Sequence, residues 1–163
     1  MKKYLILILI PIALNSCGSD KLKSKSEKNE ILGTWKLIEY SDFDPKTNNW
    51  TNPYGNNPRG YFTYTESGIV NLNISSEEPL EIPTDSIYTK ELSLGGLLDN
   101  AGGYFGTYTV DSLDSIITHH VKGGSVIHYI GTHQPREFVI KGDTLLIGDP
   151  SFEIGKRVLI RVD

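Results

Sequence analysis

The residues best suited to chemistry in this chain are imidazoles, phenols and guanidiniums set among β-branched and aromatic neighbours. His119 and His120 are adjacent, so in an extended segment they face opposite sides and cannot chelate one ion together. Gly123-Gly124 reads as a two-residue turn between Ile116 to Lys122 and Ser125 to Ile130. That turn would set His119 directly opposite His128, with Cβ atoms about 5 Å apart on a face shared with Ile117, Val121, Val126 and Ile130. Two inward imidazoles in an apolar interior can hold a metal, polarise a carbonyl, or exchange a proton near neutral pH. A metal needs a third ligand, and no spaced Cys, His, Asp or Glu cluster supplies one, so the sequence asks for no metal and no other cofactor. The plainer reading makes these histidines hydrogen-bonded pocket or core groups.

Arg136 shares parity with Phe138 and Ile140, which points its guanidinium inward, where it needs a partner. The favoured partner is Trp35, in a cation–π stack worth roughly 0.5–2 kcal/mol; the alternative is a ligand carboxylate. Trp35 itself reads first as a plug at the closed end of a β structure, its N–H satisfied locally, and second as a ligand contact. Arg59, between Pro58 and Gly60, stands at a strand entrance, either at a pocket mouth or in solvent. Tyr61, Phe62, Tyr64, Tyr104, Phe105 and Tyr108 are the material of an apolar pocket, and equally of a barrel filled by its own side chains. Glu77-Glu78 falls in a polar stretch before Pro79 and reads as a solvated loop. No Gly-x-Ser-x-Gly elbow, phosphate-cradling glycine loop or zinc-protease helix motif supports nucleophilic, nucleotide or metalloprotease chemistry.

The elements that must position these groups are short strands. Trp35 and Leu37 alternate with Thr34, Lys36 and Ile38, and Val70, Leu72 and Ile74 alternate with Asn71, Asn73 and Ser75, the pattern of half-buried strands. Glu66-Ser67-Gly68 predicts a three-residue hairpin with Gly in the left-handed position, and Gly142-Asp143 a two-residue turn with Gly first. Strands joined by turns this short are antiparallel. About eight of them in sequence form a meander that loses its exposed edges by closing into a barrel, with a two-sheet sandwich as the alternative. From Thr84 to Gly103 the pattern breaks, and Ser86, Ile87, Glu91, Leu92, Leu97 and Leu98 allow one or two short helices, read here as a lid over one barrel mouth.

Gly33-Thr34-Trp35, Pro53-Tyr54-Gly55, Pro58-Arg59-Gly60-Tyr61 with Tyr64-Thr65, Tyr104-Phe105-Gly106-Thr107-Tyr108, Thr118-His119-His120-Val121, Gly131-Thr132 with Arg136, and Gly142-Asp143 occur in this order. In that order they resemble the bacterial and fungal lipocalin-like domain family over essentially the whole chain from Ile31 onward. The resemblance implies an all-β, antiparallel up-and-down barrel of about eight or more strands. It further implies an internal pocket for a small apolar molecule, and in some biosynthetic clusters an association with shaping reactive intermediates. It brings no agreed catalytic set. The ligand-contact candidates are Trp35, Tyr54, Arg59, Tyr64, Tyr108, His119, His128 and Arg136. Relatives often carry a longer, Pro-containing loop where Gly123-Gly124 stands, and this chain departs from them in its leader and in an insert richer in Gly.

Lys2 and Lys3 precede an apolar run from Tyr4 through Leu14 with the length of a signal-peptide core, too short to span a bilayer comfortably. It ends in Leu14-Asn15-Ser16-Cys17, similar to the lipobox of bacterial lipoproteins, and Cys17 is the only cysteine among 163 residues. The expected organisation is a signal peptide over 1–16, a polar tether over 17–30 from a lipidated Cys17, and one barrel domain over 31–163. The alternative is an ordinary cleaved leader with an incidental cysteine. Gly18 after the cysteine lacks the Asp that retains enteric-type lipoproteins in the inner membrane, so the expected address is the cell envelope, at the outer membrane where the host has one. The chain carries a formal charge of -4, and removing Lys2 and Lys3 makes it more acidic; with no Lys/Arg stripe, nucleic acid is not an expected partner. Three functions fit these residues. One is a lipid-anchored binder of a small hydrophobic molecule, in a cavity lined by Tyr64, Tyr108, His119 and Arg136. Another is a partner-binding envelope lipoprotein with a filled barrel, and the last an isomerase or cyclase using His119 and a tyrosine.

Overall fold

The computed structural model describes residues 30–80, 100–111 and 113–162. Nine strands occur among them: β1 (Gly33–Asp44), β2 (Asn49–Thr51), β3 (Arg59–Tyr64), β4 (Ile69–Ser75), β5 (Ala101–Asp111), β6 (Ile116–Gly124), β7 (His133–Lys141), β8 (Thr144–Gly148) and β9 (Gly155–Arg161). All neighbours pair antiparallel in the order β2-β1-β3-β4-β5-β6-β7-β8-β9, and β1 also pairs with β9. That last ladder, from Trp35↔Arg161 to Asp42↔Gly155, closes the sheet into a barrel and excludes the sandwich. β2 is an extra strand on the far end of β1.

The expected turns join these strands. Gly68 has φ 83 between β3 and β4, and Gly142 has φ 57 between β7 and β8, the left-handed region that glycine enters without steric cost. Alternation holds as well: Trp35, Leu37, Val70, Leu72 and Ile74 are buried, with Lys36, Ile38, Asn71 and Asn73 exposed.

Two expectations give way. Ser125 to Ile130 is not a strand: Ile127–Tyr129 forms one turn of 3₁₀ helix, and Val121 N–H donates to the carbonyl of Thr132 where the ladder resumes. The β6–β7 connection is therefore a long loop, and His119 pairs with Gln134, not His128. Placing Val126 and Tyr129 against the barrel core outweighs the tight turn that Gly123-Gly124 permits. The helical lid read over Thr84 to Gly103 falls largely on residues outside the described set, but its last part, Ala101 to Gly103, is the start of β5.

The core is divided along the barrel axis. Ile31, Trp35, Leu37, Tyr64, Val70, Ile117, Leu145 and Leu159 fill the end where the chain enters. Trp35 Nε1 donates to the carbonyl of Ile31 at 2.9 Å, so the indole plugs that end with its N–H satisfied within one turn of chain. The cation over its ring is Arg161, 4.1 Å from the centroid, and not Arg136. The first and last strands meet there, which sequence parity alone does not reveal.

Candidate functional site

The opposite half of the barrel is hollow. A cavity of about 200 Å³ lies there, reached by every strand except β2. A bulge between Leu37 and Glu39 reverses the parity of β1, so that Tyr40 follows Trp35 and Leu37 to the inside. Past Lys36 the ladder to β3 ends, and Tyr54, on the β2–β3 connection, packs edge-on against Tyr40 with ring centroids 4.8 Å apart. Gly102 makes room for it: a Cβ there would lie 2.8 Å from the Tyr54 hydroxyl and 3.7 Å from Val126. Val126, His128 and Tyr129 close the rim from the β6–β7 loop.

His119 stands at the floor, between the filled and hollow halves, with 1% of its surface exposed. Its Nε2 lies 3.1 Å from the Tyr64 hydroxyl and its Nδ1 2.7 Å from the Tyr104 hydroxyl. A neutral imidazole has one donor and one acceptor, so one phenol donates and the other accepts. Burial first, and then the charge of Arg136, hold its pKa down to about 3. Burial also pushes Tyr104 up to about 12, against the opposing charge of Arg136. At neutral pH these groups are therefore uncharged and mutually satisfied, the reverse of a free general base beside an ionisable acid. The geometry favours the hydrogen-bonded wall group over the acid–base pair.

Arg136 does point inward, as its parity requires, but it pairs with Asp149 and donates to Gln134 Oε1 at 3.2 Å. Its guanidinium lies 5.9 Å from the centre of the Tyr129 ring. Two strands along the same wall, Arg157 donates to Asp42 Oδ1 at 2.8 Å and stacks 3.7 Å above Tyr40. Two guanidiniums, each neutralised by a carboxylate, thus stand in an otherwise aromatic and aliphatic wall. Neither position offers metal ligation, and no group of three or more His, Cys, Asp or Glu converges among the described residues.

Of the eight ligand-contact candidates, the cavity brings together Tyr54, His119, His128 and Arg136. Trp35 is sealed in the closed end, and Arg59 lies on the surface, donating to the carbonyl of Ser76. Tyr64 and Tyr108 lie below the floor, Tyr64 behind His119 and Tyr108 donating to the carbonyl of Thr65 at 3.0 Å, so the lining set of Tyr64, Tyr108, His119 and Arg136 is half right. Tyr40, Tyr129 and Arg157 were missed. Arg157 shares parity with Leu159 and was open to the argument applied to Arg136; Tyr40 was hidden by the bulge and Tyr129 by the loop. Glu77 is a loop residue as expected, but its carboxylate accepts from the backbone N–H groups of Asn56 and Asn57 and from the Asn57 side chain, fixing the segment after Tyr54. Cys17 lies outside the described residues.

A family model described as a lipocalin-like domain matches residues 32–156. Among solved structures, the REP1-NXSQ fatty acid transporter is similar over 83% of this chain and 98% of its own, at 14% identity and a TM-score of 0.37. A mutant of the fluorescent protein UnaG is similar over 82% of this chain and 97% of its own, at 13% identity and a TM-score of 0.35. No curated protein matches the sequence.

Proposed function

The chain belongs to the lipocalin-like domain family, and from that premise we propose that it is a membrane-anchored protein that binds one small, largely apolar molecule in the hollow half of its barrel. The observation that carries the reading is the cavity of about 200 Å³ with aromatic walls and a few fixed polar groups. Sites for drug-sized ligands are commonly about 300–1,000 Å³, so this one suits a compact molecule. Arg136 with Tyr104, and Arg157 beside Tyr40, give the wall its polar groups, and a ligand with an apolar body and a hydrogen-bonding or acidic end matches them. The anchor is the lipid on Cys17, supported by Leu14-Asn15-Ser16-Cys17 and by the polar stretch that follows, and the address is the cell envelope at the outer membrane.

The test is native mass spectrometry of the folded chain purified gently from its own envelope, with organic extraction of what it carries. A recurring small mass is expected, together with uptake of a polarity-sensitive dye, and both should be lost in Gly102→Val, whose side chain intrudes where Tyr54 and Val126 meet. Thermal melting checks that the variant folds. Neither a bound mass nor dye uptake in the wild type would move the reading to a partner-binding lipoprotein.

A further inference from the structure

The outer face of the barrel carries a second pair of imidazoles, unrelated to the cavity. His120 on β6 and His133 on β7 are direct cross-strand partners, and their Nδ1 atoms approach to 2.8 Å. The rings stand nearly perpendicular, at 81°, with centroids 4.8 Å apart. His120 is half-buried and His133 exposed, so solvent reaches the point on which the two nitrogens converge. From β5, Thr109 Oγ1 lies 3.1 Å from His120 Nε2. When that Nε2–H donates to the hydroxyl, the tautomer is fixed with the Nδ1 lone pair directed at His133, the arrangement by which second partners orient metal-ligating histidines.

We propose that His120 and His133 form a surface site for a divalent transition-metal ion of tetragonal geometry, with Cu²⁺ the best fit. The spacing makes the choice. At metal–nitrogen distances of about 2.0 Å, two ligands at a right angle are separated by about 2.8 Å, whereas tetrahedral ligands are separated by about 3.3 Å. The 2.8 Å of the hydrogen-bonded pair already lies at the separation of adjacent ligands on Cu²⁺ or Ni²⁺, whereas tetrahedral Zn²⁺ requires the two nitrogens to spread by about 0.5 Å. Among divalent ions an imidazole site also ranks Cu²⁺ first. No third His, Cys, Asp or Glu joins the pair among the described residues, so water completes the coordination and the ion exchanges readily. Without metal, one Nδ1–H donates to the other Nδ1. On binding, that hydrogen moves to the Nε2 of its own ring, so both Nδ1 lone pairs face the ion and no net proton is released from the neutral pair.

The experiment titrates the metal-stripped full chain with Cu²⁺, Ni²⁺ and Zn²⁺ in a non-coordinating buffer and follows Cu²⁺ by electron paramagnetic resonance. One Cu²⁺ per chain with hyperfine structure from two nitrogens is expected, bound more tightly than Ni²⁺ or Zn²⁺. His120→Ala and His133→Ala should each weaken it by about tenfold or more and remove one nitrogen, while Thr109→Val keeps both nitrogens and weakens binding less. Equal Cu²⁺ affinity in the wild type and the His120→Ala/His133→Ala double variant, each checked by melting, would overturn the site. Tighter Zn²⁺ than Cu²⁺ binding would overturn the geometry.

Discussion

His119 receives a hydroxyl at each ring nitrogen and is sealed from water, which ties its protonation to folding. In the unfolded chain an ordinary imidazole titrates near 6.5; in the folded chain burial, and after it the charge of Arg136, hold the pKa at about 3. Below 6.5 the unfolded chain takes up a proton that the folded chain refuses. The stability this group contributes is therefore complete above 6.5 and is lost as pH falls toward 3, by about 2 kcal/mol between pH 7 and pH 5. Urea unfolding at those two pH values should show the loss in the wild type, and His119→Gln, which keeps amide partners for both phenols but does not titrate, should lack it. The same fall in both proteins would place the pH dependence elsewhere. Residues such as His119 and Arg136 were legible in the sequence because parity on a strand decides which side a group faces. Their partners were not. Asp149 lies beyond the end of β8 and reaches Arg136 only after the strands have paired, and Tyr104 meets His119 across the β5–β6 ladder through a register that a bulge shifts between Phe105 and Gly106.

The β6–β7 connection shows how an element outside the ladder comes to shape a site. Its 3₁₀ turn is held by the N–H of Tyr129 on the carbonyl of Val126, and by both the N–H and the hydroxyl of Thr132 on the carbonyl of Tyr129. Tyr129 packs edge-on against Tyr104 with centroids 5.9 Å apart and lies beneath the Arg136 guanidinium. These contacts join the hydrogen bonds of Ser125 and Val126 to Gly103 in fixing the loop to the rim of the cavity. Tyr129→Ala is expected to cost about 1–2 kcal/mol of stability and to speed release of any dye or ligand from the cavity. Stopped-flow displacement beside a denaturation curve checks both, and an unchanged release rate would mean the loop does not gate the cavity. Sequence reasoning gave the turns at Gly68 and Gly142 because a left-handed glycine between two alternating strands has one outcome. It misread Gly123-Gly124, where the same local signal competes with burial of Val126 and Tyr129, a preference that exists only once the barrel is there to receive them.

Closure of the whole molecule joins the two ends of the folded chain. Arg161 covers Trp35 and donates to the carbonyls of Leu32 and Glu30, fastening the last strand to the segment that leads into the first. The barrel itself was legible because a meander of short-turn strands has edges that only closure removes, whereas the division into a filled and a hollow half was not, since it depends on how all the inward side chains share one volume. That division bears on the proposed anchor. Glu30 sits at the filled end and the cavity lies at the other, so a lipid tether over 17–30 attaches away from the binding site. At about 3.4 Å per residue a fully extended tether of that span reaches about 45 Å, enough to keep the cavity clear of the bilayer. The proposed membrane attachment and the proposed ligand binding can therefore be tested separately. In cells, the wild type should fractionate with membranes and partition into detergent, and Cys17→Ala should not, because without the cysteine no thioether can carry acyl chains. Dye binding by the released Cys17→Ala protein should equal that of the wild type in detergent. A Cys17→Ala protein that stays with the membrane would remove the lipid anchor from the account while leaving the cavity untouched.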